Sequence, residues 1–123
     1  MKFVGICLLT KNVPALAQFY TQVLGVQAEG DDNHVELKTE GAHITIFSVD
    51  GTEKMAPQSM RGVGYGGFTI GLQVEDVDAE YERLKRLGVE MVKPPESYPW
   101  GSRSVWFRDP DGNILDFFAL LTP

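Results

Sequence analysis

The stretch PWGSRSVWFRDPDGNILDFF, residues 99–118, places two apolar runs on either side of a sharp turn. The turn sequence suits a type I turn, with Asp109 at the first position, Pro110 at the second and Gly112 at the fourth. The runs on both sides read as strands, because apolar and other side chains alternate with a period of two. The second strand carries an acid, Asp116, within an otherwise apolar run. The role of this carboxylate, as a metal ligand or as something else, is the main functional question that the sequence raises.

Outward from this stretch, the chain has the same order of elements twice, about 64 residues apart. In each half an apolar strand precedes a helix, and further strands follow. Helices are predicted at 12–25, capped by Asn12, and at 76–88, capped by Asp76. Strands are predicted at 3–9, 34–40 and 42–49 in the first half, and at 68–74, 89–92, 103–108 and 114–120 in the second. The joining segment, residues 51–67, has no clear period and is interpreted as a linker loop.

Length and composition predict one globular domain over residues 1–123, with 43% hydrophobic and 23% charged residues. Its parts are module one at about 1–50, the linker at about 51–67 and module two at about 68–123. The net charge of −6 argues against nucleic acid or an anionic membrane surface as the main partner. No run approaches the length of a membrane span. The single cysteine, Cys7, fits a reducing cytoplasm, where we expect the protein to be.

Strand alternation predicts where a ligand would bind. Most strands have one wholly apolar face, expected to pack on the helices, and one mixed face of small, polar and aromatic side chains. The mixed composition is typical of a ligand cleft, which is mostly apolar with a few polar anchors. The candidate ligand-binding residues on these faces and in the loop at 96–101 are His43, Thr45, Phe47, Thr69, Trp100, Ser104, Trp106, Asp116 and Phe118.

The aromatic residues of this set, and His43, have more specific interpretations. The rings of Trp106, Trp100, Phe47 and Phe118, together with Tyr98, are predicted to form an aromatic box with cation–π capacity. An alternative is that these rings only fill the cleft or a dimer interface. A further candidate, His43, is a hydrogen-bonding residue of the cleft or a general base, although a lone histidine on a strand is more often neither.

The two halves resemble the vicinal-oxygen-chelate superfamily, which includes glyoxalase I, bleomycin-resistance proteins, fosfomycin-resistance enzymes and extradiol dioxygenases. The segment NVPALAQFYTQVLGV resembles the first-helix signature of that superfamily, and WGSRSVWFRDPDGNILDFF resembles its C-terminal signature. The resemblance implies an α+β fold of two tandem βαβββ modules that form a curved mixed sheet with a concave ligand cleft. It also implies a homodimer.

Members of this superfamily that use a metal carry His, Glu or Gln at four positions. By the resemblance these positions fall on Gly5, Thr45, Thr69 and Asp116, of which only Asp116 is a plausible ligand for a transition metal. A shift of register would add His43, and two ligands are still fewer than the three that a catalytic metal usually takes. We therefore predict that the usual metal site is absent and that the chain uses no cofactor.

The resemblance then favours a metal-free protein that binds a small organic molecule, as bleomycin-resistance proteins sequester a drug without turnover. In this interpretation Asp116 anchors a cationic or hydroxylated ligand, and the acidic charge suits a cationic, partly aromatic one. Alternatively, Asp116 is a solvated acid, or one paired with Arg103 or Arg108, and has no role. Two enzymes are the rival functions: a lyase, isomerase or dioxygenase with a divergent metal site, and a metal-free enzyme that uses Asp116 or His43 as acid or base.

Overall fold

The order of one strand, one helix and three strands occurs twice in the structure, a computed structural model that describes residues 1–62, 64 and 67–121. The chain divides into two compact units, Met1–Val63 and Gly64–Pro123. In chain order the elements are β1 (Gly5–Thr10), α1 (Val13–Leu24), β2 (Ala28–Gly30), β3 (His34–Leu37), β4 (His43–Ser48), α2 (Val49–Met55), β5 (Thr69–Gln73), α3 (Val77–Arg86), β6 (Met91–Tyr98), β7 (Ser102–Arg108) and β8 (Ile114–Leu120). The predicted α+β fold with two βαβββ modules is confirmed.

Helices α1 and α3 begin at the predicted caps. The side chain of Asn12 accepts a hydrogen bond from the amide of Ala15 at 3.1 Å, and Asp76 accepts one from Ala79 at 3.0 Å. Each bond satisfies an amide that has no partner within the first turn of its helix. Helix α1 ends at Leu24 and is capped by Gly25, whose φ of 67° lies in the left-handed region that glycine adopts without strain.

The first unit contains a four-stranded sheet in the order β1-β4-β3-β2. Strand β1 runs parallel to β4, and the other neighbours are antiparallel. Leu8, Leu37 and Ile46 from this sheet are buried, as are Leu16 and Tyr20 from α1. The apolar face of the sheet therefore packs on the helix, as the alternation predicts, and each buried aliphatic side chain contributes roughly 1.5–3 kcal/mol.

The second unit repeats this arrangement in the order β5-β8-β7-β6, with β5 parallel to β8. Its core includes Leu84 of α3 and Val105, Phe107, Leu115 and Phe117 of the sheet. The rings of Phe107 and Phe117 meet edge to face, with centroids 4.8 Å apart. These residues occupy one face of β7 and β8, which leaves the opposite face for the mixed set.

The prediction that residues 51–67 form only a loop is wrong at its start, where α2 extends to Met55. Ser48 caps this short helix by accepting a hydrogen bond from the amide of Gly51 at 2.9 Å. None of its residues is buried, so the sequence shows no apolar period there. The carboxylate of Glu53 then accepts hydrogen bonds from the amides of Gln58 and Met60. Residues 63, 65 and 66 of the predicted linker lie outside the described residues.

Two strands also differ from the prediction. Strand β2 is three exposed residues long and has no apolar signal. Strand β6 continues through Pro94 and Pro95 to Tyr98, well beyond the predicted end at 92. Prolines are tolerated there because β6 is at an edge of its sheet. Among the described residues, no helix combines the length and the apolar character needed to cross a membrane.

Candidate functional site

Three side chains of the second unit form a row across its sheet. Trp106 of β7 is the register partner of Lys93 on β6 and of Asp116 on β8. On its other side Asp116 pairs with Gly71 of β5, which has no side chain to cover the carboxylate. A Cβ on Gly71 would lie 3.8 Å from the ring of Phe118. The row Lys93–Trp106–Asp116 is called the polar row below.

The position of Lys93 depends on two irregularities in β6. The register between β6 and β7 shifts between Met91 and Lys93, and again between Lys93 and Glu96. Such bulges bend a strand and re-aim its side chains, and the second one contains the two prolines. The Lys93 ammonium donates hydrogen bonds to the backbone oxygen of Ser104 at 2.8 Å and to its Oγ at 2.9 Å.

Two aromatic rings lie close to the ammonium group of Lys93. The Nζ atom of Lys93 lies 4.9 Å from the ring centroid of Tyr98 and 5.7 Å from that of Trp106. The ring of Trp100 stacks on Tyr98 with a centroid distance of 4.7 Å and an interplanar angle of 6°. Trp100 is 75% exposed, so much of this stack is open to solvent. A planar molecule therefore has an aromatic surface to pack against beside the polar row.

Burial shifts the pKa of both charged members of the polar row. It raises the pKa of Asp116, an effect that Lys93 and the indole of Trp106 partly oppose. It lowers the pKa of Lys93, opposed by the nearby carboxylates of Asp116 and Glu96. Both shifts have the same cause, because removing a charge from water disfavours the charged form.

The polar row contains buried polar atoms that are incompletely hydrogen-bonded. The buried Trp106 Nε1 and Asp116 Oδ1 make no hydrogen bond of ordinary geometry, although a looser hydrogen bond from the indole lowers the pKa of the Asp116 carboxyl group. Lys93 and Asp116 attract each other without a direct ion pair; the ion pairs between described residues of this unit are Arg83–Glu80, Lys85–Glu82, Arg103–Asp78 and Arg108–Glu90. Buried polar atoms are nearly always hydrogen-bonded, so these groups indicate a place for an external partner.

The alternative that Asp116 pairs with an arginine is wrong. Arg103 binds Asp78 of α3, with Nη2 2.7 Å from Oδ1. Arg108 lies 3.3 Å from Glu90 and donates to the backbone oxygen of Gly112. The charged neighbour of Asp116 is Lys93, which the sequence reasoning did not select.

The other candidates of the second unit lie at different places on the sheet. Ser104 is buried and holds Lys93, as described above. Thr69 is exposed and pairs with Ile114, so it begins β5, two residues before the partner of Asp116. The structure thus brings Ser104, Trp106 and Asp116 together, and Thr69 is one step away along the same face of β5. Their roles in ligand binding stay predictions.

The candidates of the first unit share one face of β4. His43 is exposed, with Nδ1 3.6 Å from Glu36 Oε1. Thr45 lies between Glu36 of β3 and Cys7 of β1. The ring of Phe47 meets the imidazole of His34 edge to face at 5.7 Å. Phe47 also touches α2, since a Cβ on Gly51 would meet its ring at 2.6 Å.

The residues at the four metal-ligand positions do not fit a transition metal. Any Cβ on Gly5 would lie 2.0 Å from the backbone oxygen of His43, so the backbone here leaves no room for a ligating side chain. Thr45 and Thr69 offer only hydroxyl groups, which are poor ligands for these metals. Over residues 1–62, 64 and 67–121, no three His, Cys, Asp or Glu side chains cluster as a metal site requires.

The fold and the sequence together identify the class of protein. The chain belongs to the Glyoxalase/Bleomycin resistance protein/Dioxygenase superfamily, whose family model matches residues 2–117. The protein YraH of Bacillus subtilis (strain 168) is 30% identical over an alignment of 128 positions, which covers 98% of this chain and all of YraH. The fosfomycin resistance protein FosX of Listeria innocua is 35% identical over 66 residues, or 53% of this chain and 49% of FosX.

Solved structures show the same fold at low sequence identity. A glyoxalase/bleomycin resistance protein/dioxygenase family enzyme from Burkholderia phytofirmans PsJN has a TM-score of 0.85 and 18% identity, covering 98% of this chain and 100% of that one. Lactoylglutathione lyase from Agrobacterium tumefaciens has a TM-score of 0.77 and 21% identity, and the match covers 96% of this chain and 92% of the lyase chain. Similarity at this level supports the architecture and does not specify a substrate.

Proposed function

We propose that this protein binds a small organic molecule without a metal, at the face of the second unit that carries the polar row, and sequesters it without turnover. The observation that carries the proposal is the pair of buried, incompletely hydrogen-bonded atoms of the polar row, Trp106 Nε1 and Asp116 Oδ1, beside the half-buried residue Lys93. Leaving a buried polar group unpaired costs about 1–3 kcal/mol, and a ligand that supplies the missing partner recovers much of this.

The surroundings of these atoms also suit a ligand site. The rings of Tyr98 and Trp106 border the same ammonium group, and Trp100 stacks on Tyr98. Binding sites typically combine apolar and aromatic walls with a small number of polar anchors. The metal-free part of the proposal depends on Gly5, Thr45 and Thr69, whose side chains do not ligate a transition metal.

A metal-free enzyme is the second candidate function, and one observation favours it. Burial raises the pKa of Asp116 above its ordinary value, and this is the direction of shift that suits a carboxyl group to acid–base catalysis. In that function Asp116 touches the substrate and acts as acid or base. A metal-dependent lyase, isomerase or dioxygenase is disfavoured by the same three residues that argue against metal ligation.

A ligand screen followed by nuclear magnetic resonance of the indole N–H groups tests the proposal. The chain has two tryptophans, so the variant Trp100→Phe assigns the signal of Trp106. A chemically diverse library, with chelator present, is expected to yield compounds that shift the Trp106 signal. If no compound shifts this signal, the proposed site is wrong. If a compound that shifts it is also consumed, and Asp116→Asn stops its turnover while binding persists, the enzyme is the correct function.

A further inference from the structure

We infer that the polar row recognises an uncharged hydroxyl group on an aromatic ligand, and that Lys93 is the residue that excludes cations from this site. The inference rests on the proposed function and names the chemistry of its ligand. It also decides between the two ligand types that Asp116 alone would suit, a cation and a hydroxylated molecule.

The first argument is a match of donors and acceptors. The ammonium group of Lys93 has three N–H donors, of which two bind the backbone oxygen and Oγ of Ser104. No hydrogen bond of the third to a described residue is present beside these two. The N–H of Trp106 and Asp116 Oδ1 make no hydrogen bond of ordinary geometry, and only a weak hydrogen-bonding interaction joins the indole to the carboxyl group. Two incompletely used donors and one incompletely used acceptor match a hydroxyl group, which accepts two hydrogen bonds and donates one.

The second argument is electrostatic. A cation bound at Asp116 would also be close to the Lys93 ammonium, and like charges repel strongly where water is partly excluded. An anion bound at Lys93 would be repelled in turn by Asp116 and by the neighbouring Glu96, both of which interact with Lys93. An uncharged group that is also a dipole, with an oxygen towards Lys93 and a proton towards Asp116, avoids both repulsions.

The third argument concerns the body of the ligand. Trp100 keeps 75% of its surface exposed although it stacks on Tyr98, which itself contacts Lys93. An exposed aromatic stack beside partly buried polar groups favours a planar ring as the part of the ligand that makes the apolar contact.

Three naphthalene probes with the same ring test this chemistry: 2-naphthalenemethanol, its methyl ether and 2-naphthylmethylammonium. The ether keeps the acceptor and loses the donor, and the ammonium replaces the hydroxyl by a cation. We expect the alcohol to shift the Trp106 indole signal and to bind about tenfold more tightly than either analogue, as the loss of a hydrogen bond to a charged group implies. We expect Asp116→Asn to lower the affinity for the alcohol. We expect Lys93→Met to lower the affinity for the alcohol and to raise the affinity for the ammonium probe.

The matched control is Lys85→Met, which removes a lysine that also lies over a tyrosine ring, 4.4 Å from Tyr81, on α3. It is expected to change no probe affinity. Preferential binding of the ammonium probe to the unmodified protein would overturn the inference, as would an unchanged probe preference in Lys93→Met. Either result leaves the proposed function intact if library compounds still shift the Trp106 signal. Failure of all three probes to shift that signal also overturns the inference, and the library screen then decides whether the proposed function fails with it.

Discussion

Lys93 and Asp116 are both register partners of Trp106 and attract each other, yet they form no direct ion pair. A direct pair would satisfy both charges and close the site. The separation instead leaves hydrogen-bonding groups free on both sides of the indole. This relationship distinguishes the polar row from the closed pair of Arg103 and Asp78, which joins β7 to α3.

The pKa of Asp116 is expected to depend on Lys93. Because the ammonium of Lys93 lowers this pKa against the larger effect of burial, Lys93→Met should raise it further. Titration of the labelled carboxyl carbon by nuclear magnetic resonance measures the change. Lys85→Met is the control and should leave the titration unaltered, since that lysine pairs with Glu82 on α3. A fall in the pKa of Asp116 in Lys93→Met would contradict the electrostatic attraction between Lys93 and Asp116.

Stability should respond to the charge on Asp116 in a defined pH window. A carboxyl group whose pKa is raised in the folded state binds protons more strongly there than in the unfolded chain, so its contribution to stability falls as pH rises from the ordinary value of 3.8 through the raised one. Asp116→Asn removes this contribution. The free energy of unfolding of the variant, relative to the unmodified protein, is therefore expected to increase between pH 4 and neutral pH in urea titrations. A relative decrease over that range would contradict the assignment.

Removing the exposed indole of Trp100 should separate binding from stability. Surface substitutions usually change stability by about 0.5 kcal/mol or less, so Trp100→Ala should unfold at nearly the same urea concentration as the unmodified protein. The variant should nevertheless bind any aromatic ligand of the polar row more weakly, because the stack on Tyr98 is lost. Leu87→Ala is the comparison: Leu87 is also exposed in the second unit but lies at the C-terminal end of α3. Equal affinity in both variants would show that the stack does not contact the ligand.

A metal-ligating histidine cannot be introduced at position 5 without damage. In Gly5→His the new Cβ meets the backbone oxygen of His43 at 2.0 Å, so β1 or β4 has to move. A loss of at least about 2 kcal/mol in the free energy of unfolding is expected, as for other overpacked sites. Gly64→His is the matched control, since a Cβ at that position meets no atom of the described residues within 4 Å, its chain neighbours aside. A fully stable Gly5→His variant would reopen the question of a metal site.

The sequence predicts helices α1 and α3 well, misses α2 and indicates the site only in part, for physical reasons. The caps at Asn12 and Asp76 are local signals, and the apolar alternation of β7 and β8 follows from their buried face. Helix α2 buries none of its residues and so leaves no such pattern.

The polar row was only partly accessible to sequence reasoning because it depends on register between strands. Asp116 and Trp106 stand out by residue type within apolar strands. Lys93 does not, since its position over Trp106 depends on two shifts of pairing between β6 and β7. The pair Pro94–Pro95 is a signal in the sequence, because prolines within a strand mark a bulge or a sheet edge.

Metal content of the purified, untagged protein tests the central claim most directly. The measurement is mass spectrometry of the metals that remain bound after separate incubation with nickel, zinc, manganese and ferrous iron, followed by desalting. The residues at positions 5, 45 and 69 predict retention far below one metal ion per chain for each of them. Retention of any of these metals near one per chain would contradict metal-free binding and would require ligands other than those expected at these positions.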